Sequence, residues 1–239
     1  MSNIYLTFFI NIKEENMDEL IKKVQKILTN PGHSIDHTLR VYNLAIEFAK
    51  KENANLHIVG ISALLHDVDD YKFSSKEDAL NLTNSKRIME EMNYSNEVVH
   101  VVLDILRSIG YKNRLDNIYP KTLEGMIVSD ADMCDALGKN GIERAIEYSK
   151  HKGIEFFNPK IFPDLSMDGN KYSQKNTTTI NHFFEKLLKL KDLMLTQSGK
   201  NYSITLHKEL IEFLDNYFKK INNQEWINYL NEYLSNISK

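Results

Sequence analysis

The run Ile58-Val59-Gly60-Ile61-Ser62-Ala63-Leu64-Leu65 ends in His66-Asp67. It carries no charge and no polar face, so it reads as a helix buried on every side rather than along one stripe. The segment spans about Asn55 to Leu65, and a helix apolar nearly all round belongs at the centre of an all-α fold. An imidazole and a carboxylate at its end are costly to bury unless they are paired or bind a metal. The competing explanation is a plain helix end, with Asp67 in water and His66 complementing the C-terminal dipole.

Outward from this helix, nearly every segment repeats with a period of 3.6 residues. Asn16 with Glu19 three residues on forms a capping pair for a helix reaching Leu28, and Asn30-Pro31-Gly32 stops it. Ser34 caps the next, whose core stripe is Val41, Leu44, Ala45 and Phe48. Ser75 with Asp78 opens a fourth helix, and Ser95 a fifth through Ile109. A sixth runs from Leu123 to Leu137 and stops at Gly138, and a short one follows through Ile142 and Ile146. Residues 150–176 contain Gly153, Pro159, Pro163, Gly169 and Asn170 and have no period, so they read as a lid or a disordered loop. Thr179–Leu195 and Tyr202–Ile221 read as long closing helices, with a shorter one holding Trp226 and Tyr229. One domain is expected over 1–239. Its metal-binding core covers about 17–149, and C-terminal helices at 178–237 pack on that core.

With 9 Gly and 4 Pro in 239 residues, the chain lacks the turns of a β-sandwich or barrel. A formal net charge of -3 provides no global basic field to recruit nucleic acid or a membrane surface. Cys134 is the single cysteine, so no intramolecular disulfide forms. No apolar run reaches the roughly 18 residues of a membrane span. Ile4-Tyr5-Leu6-Thr7-Phe8-Phe9-Ile10 lacks a basic leader and reads as a short strand, a helix extension or a frayed end. A cytoplasmic protein, monomeric or homodimeric, is the expectation.

Two further residues interrupt apolar helical faces. His37 shares a stripe with Arg40, Val41 and Leu44, which fits either a ligand or a core histidine bonded to a carbonyl. Asp130 has Met126, Ile127, Met133, Cys134 and Leu137 around it at helical spacing, so its carboxylate needs a cation, a pairing with Arg40, or a backbone donor. Asp132 and Asp135 lie round the helix from it, toward water or the outskirts of a site. Two imidazoles with two carboxylates form a nitrogen and oxygen donor set that suits Mn²⁺, Mg²⁺, Fe²⁺, Co²⁺ or Ni²⁺ with water completing the shell. Structural zinc would want thiolates or four closed ligands, and Cys134 is alone. Open positions on such an ion generate a water nucleophile and polarise a phosphoryl oxygen.

The ordered set His37, His66-Asp67 and Asp130 resembles the HD-domain superfamily of metal-dependent phosphohydrolases. The stretch from Gly32 to Ala45 (GHSIDHTLRVYNLA) is similar to the opening signature of the small bacterial single-domain HD hydrolases, and Ala63 to Phe73 (ALLHDVDDYKF) to their central motif. Glu124 to Gly138 (EGMIVSDADMCDALG) is similar to their third, and His182 to Leu190 to their C-terminal helices. The likeness runs from about Ile21 to Phe218. It implies an all-helical HD bundle and one divalent metal ion held by His37, His66, Asp67 and Asp130. It also implies hydrolysis of a phosphate ester or anhydride of a small phosphorylated compound, with nucleotides as the expected substrates. Some members of this subgroup act as pyrophosphohydrolases on nucleoside triphosphates. Met133-Cys134 stand where the pattern more often has Arg-Leu, and Gly110 where Ser is usual.

For substrate contacts, Lys72, Lys112 and Arg40 are the candidates, the lysines as point charges on phosphate. Asp70, within a turn of the metal pair, is the candidate to orient the attacking water or take its proton, with Lys72 beside it in the chemistry. Arg40 also stands one turn from His37, where it can anchor Asp130 or Asp67. His182 reads as packing. Two other functions compete. A di-iron oxygenase of HD type needs more histidines between the central motif and Asp130, where only His100 lies. A nucleotide-sensing module would use the metal for structure alone.

Overall fold

The computed structural model describes residues 17–28, 35–70, 75–166 and 177–237. Among them every regular element is helical. The caps expected at Asn16 and Ser34 and the apolar stretch Ile4–Ile10 lie outside the described residues.

The chain divides into two compact units. The first runs to Asp132 and takes back Leu195–Gly199. It holds α1 (17–27), α2 (Ile35–Glu52), α3 (Leu56–Leu65), α4 (Lys76–Asn81), α5 (Thr83–Glu91), α6 (Asn96–Ser108), α7 (Tyr111–Leu115) and most of α8 (Leu123–Asp135). Helix α3 is its centre, as its composition requires: all residues from Ile58 to Leu65 are buried, and it packs on α2 and α6. Gly60 permits the approach of α2, because a Cβ there would stand 3.2 Å from the Tyr42 ring. Asn55 caps α3 by accepting from the N–H groups of His57 and Ile58.

Ser75 accepts from Asp78 N–H and Ser95 from Val98 N–H, so both expected caps form. The helix opened by Ser75 is split, however. Leu82 adopts a left-handed conformation (φ 52°) that ends α4 and starts α5 with no side-chain cap of its own. Asp69 supplies the missing acceptor from the turn after α3. Its carboxylate takes the N–H groups of Asn84 and Ser85 at 2.9 Å and the Ser85 hydroxyl at 2.6 Å.

The second unit comprises Met133–Met194 and Lys200–Lys239. Helix α9 (Gly138–Lys152) is longer than the expected short helix and ends at Gly153 (φ 66°). The segment expected as a lid is, over 153–166, tied down by its backbone. Thr179 and Ile180 N–H donate to the carbonyls of Glu155 and Phe156. The Asn181 amide donates to the Ile161 carbonyl, and the Trp226 indole to that of Pro159. Phe162 stacks on Trp226 with the rings 4.8 Å apart. In place of one helix from Thr179 to Leu195 there is α10 (Thr179–Glu185) and then a 3₁₀ helix (Leu187–Leu193). Helices α11 (Gln197–Lys220) and α12 (Gln224–Ile237) complete the chain.

Candidate metal centre

Three helices deliver four side chains to one point in the first unit. His37 sits on α2 with its ring buried, His66 is the C-terminal cap of α3, Asp67 follows it, and Asp132 lies on α8. The two imidazoles present Nε2 to each other at 3.2 Å. Asp67 Oδ2 lies 3.4 Å from His37 Nε2 and 3.5 Å from His66 Nε2. Asp132 Oδ1 lies 3.5 and 3.7 Å from the same two nitrogens. Ligands adjacent on one small divalent ion, with bonds of ~2.1 Å, stand about 3 Å apart, so this spacing fits a common cation.

The orientation of His66 is set from behind. Its Nδ1 donates to the Ala63 carbonyl at 2.8 Å, which assigns the proton to Nδ1 and leaves the Nε2 lone pair facing the cluster. Burial pushes the Asp132 carboxyl upward, but the hydrogen bond from His37 and the electrostatic pull of the His66 and His37 rings outweigh it and hold the group below the usual carboxylate range. The centre is thus built to keep a carboxylate ionised beside two nitrogen donors. His37, His66 and Asp132 together have the spacing of a metal-binding group, and Asp67 adds a fourth donor beside both histidines. The donor set and geometry fit the divalent ion expected from the sequence.

Asp130 requires a correction. It is fully buried, as its apolar neighbours imply, but it serves another site. Its carboxylate accepts from Leu195 N–H at 3.0 Å, from Thr196 N–H at 2.7 Å and from the Thr196 hydroxyl at 2.7 Å. Burial still dominates and raises its pKa, against the pull of those bonds and of the Arg114 charge. The backbone donor weighed for a buried Asp130 is what the structure provides, and Arg114, not Arg40, is the cation that acts on it. Arg114 is itself buried, donating to Ser129 Oγ at 2.8 Å. The third motif therefore brings Asp132 to the histidines. Amphipathicity pointed the wrong way because a polar site, like bulk water, attracts the less apolar face of a helix. Ser129, Asp135 and Ala136 at helical spacing around Asp132 were the available signal.

The HD domain family model matches residues 34–137. The Bacillus subtilis protein YpgQ is 31% identical over 210 residues, covering 85% of this chain and 93% of its own. The chain belongs to the HD-domain superfamily. An HD-superfamily hydrolase from Bacillus thuringiensis is 33% identical, covering 89% of this chain and 100% of its own at a TM-score of 0.67. A Lactobacillus plantarum structure reaches a TM-score of 0.79 at 31% identity, covering 87% of this chain and 98% of its own. YpgQ itself, solved in complex with ADP, aligns with a TM-score of 0.69 over 89% of this chain and 98% of that one.

Around the centre of this HD protein, the expected substrate residues are placed unevenly. Asp70 is half-buried, and its N–H donates to the Asp67 carbonyl at 3.2 Å, one turn from the donor cluster. Arg40 is half-buried on α2, one turn after His37. Lys112 is exposed on α7. Lys72 lies outside the described residues.

Proposed function

We propose that this protein is a metal-dependent phosphohydrolase acting on a small phosphorylated compound, with nucleotides as the substrate class. The observation that carries the reading is the convergence of His37, His66, Asp67 and Asp132 on one point from α2, the α3 end and α8. These four residues would hold one divalent ion, of which Mn²⁺, Mg²⁺, Fe²⁺, Co²⁺ and Ni²⁺ suit the donors. Such an ion supplies a nucleophilic water near neutral pH and charge neutralisation on a phosphoryl oxygen.

The protein's own side chains do the rest. His66, oriented through Ala63, and Asp67 set the direction in which substrate is approached. Asp70 takes or orients a proton of the attacking water, and Arg40, Lys72 and Lys112 offset phosphate charge. The complex of the relative YpgQ with ADP supports a nucleotide as ligand. The di-iron alternative is not favoured, since His100 has a side chain 78% exposed and pairs with Asp104 at 3.4 Å.

The test is turnover. Purified protein with bound Mn²⁺ confirmed, incubated with a panel of nucleoside mono-, di- and triphosphates, should release phosphate or pyrophosphate from at least one. No release across the panel would count decisively against a phosphohydrolase.

A further inference from the structure

The turn Leu195–Gly199 is far from the metal motifs in sequence, yet it holds two of the helices that carry their donors. On one side Asp130 of α8 receives the Leu195 and Thr196 N–H groups and the Thr196 hydroxyl. On the other, Ser198 N–H donates at 2.7 Å to Glu52 Oε1, the last residue of α2. Thr196 Oγ1 also accepts from Gly199 N–H at 3.0 Å, so one hydroxyl both caps the first turn of α11 and bonds the Asp130 carboxylate. The fit leaves no slack: a Cβ on Gly199 would clash with the Asp130 carboxylate. Helix α2 carries His37 and α8 carries Asp132, two residues after Asp130.

We propose that Thr196, with Asp130 and Glu52, forms a clamp that positions Asp132 against His37 and so sets metal affinity. This inference rests on the assignment of the metal centre above. Asp130 and Asp132 sit on one helix and project in different directions. Fixing the Asp130 carboxylate by three donors fixes the rotation of α8 about its axis, and hence the direction in which Asp132 points. The bond from Ser198 N–H to Glu52 anchors the C-terminal end of α2 to the same turn. Thr196 is a positioning residue, since it touches no donor atom of the centre.

Mn²⁺ affinity, measured by calorimetry well below the melting temperature, tests the clamp in the full chain. Changes to groups supporting metal ligands cost 10–100-fold in affinity, so Thr196→Val is expected to raise the Mn²⁺ Kd about tenfold or more. Thr196→Ser, which keeps the hydroxyl, is expected to restore it. The Mn²⁺ electron paramagnetic resonance spectrum should broaden in Thr196→Val and return in Thr196→Ser, which a loss of global stability alone would not produce. If Thr196→Val fails to fold, Glu52→Ala carries the same expectation. Wild-type Mn²⁺ affinity in the clamp variant, with binding abolished in His66→Ala, would overturn the clamp and leave the centre standing. Wild-type affinity in His66→Ala would overturn the centre itself, and the clamp with it.

Discussion

Asp130 and Asp132 differ by two positions and have opposite fates. Asp130 is driven toward its neutral form by burial and is met by N–H and hydroxyl donors, whereas Asp132 is held ionised by two histidines. Substitution should therefore separate them. Asp132→Asn is expected to lower Mn²⁺ affinity at least about 100-fold, beyond the range for supporting groups, while the metal-free melting temperature falls less than in Asp130→Asn, because only the pull of the two histidines on a half-exposed carboxylate is lost. Asp130→Asn puts an amide where three donors converge, and its N–H₂ faces other donors. It is expected to cost about 2 kcal/mol of stability, read in urea unfolding of the metal-free protein. Equal effects of the two on metal-free stability would show that the distinction is mistaken.

Among the elements, those whose ends are set locally were legible in the chain. Ser75 and Ser95 cap the helices that follow them as expected, and Asn55, read only as the start of α3, caps it too, because a short side chain reaching its own N–H groups needs no partner from elsewhere. Asn55→Ala should cost about 1 kcal/mol in chemical denaturation. Helix ends set by distant groups were not legible. Helix α5 takes its cap from Asp69, more than a dozen residues upstream, so Asp69→Ala, which leaves the two buried donors of Ser85 and the half-buried N–H of Asn84 unmet, should cost more, about 2 kcal/mol. A smaller loss than for Asn55→Ala would contradict that ranking. Helix α11 starts at Gln197 rather than Tyr202 for the same reason, since its cap Thr196 is fixed by Asp130. The 3₁₀ turn at Leu187–Leu193 escaped a reading based on periodicity because Leu187 and Leu190 share a face at three residues per turn as they nearly do at 3.6.

In the whole molecule, the single domain expected from the sequence is tested by unfolding. The boundary between the two compact units falls within α8 and again within α11, and a continuous helix transmits unfolding along itself. Trp226, the only tryptophan, lies in the second unit. Its fluorescence should change at the same denaturant concentration as the helical circular dichroism, and two separated transitions would establish two domains. Acid should weaken the second unit through His207. Burial, aided by the Lys191 charge and opposed by Asp192, holds this imidazole below its ordinary value of 6.5, and its Nδ1 is buried without a hydrogen-bond partner. A depressed folded-state pKa means stability that is present above pH 6.5 and is lost as pH falls through the folded value. His207→Gln is expected to flatten the fall in melting temperature between about pH 7.5 and 5.5. An unchanged slope would remove His207 as the cause.

What the chain determined by itself was whatever depends on near neighbours: helices from periodicity, their starts from short capping side chains, and a buried α3 from an unbroken apolar run ending in His66-Asp67. The match of its motifs to a family extended that to an HD fold. Only the tertiary structure decided which carboxylate of the third motif faces the histidines. Both Asp130 and Asp132 are chemically able to do so, and the choice lies in the rotation of α8, which is set by the Leu195–Thr196 turn some 65 residues later in the chain. Burial specifies that a charge must be met, but not by which partner. That is settled by what the fold brings within hydrogen-bond reach.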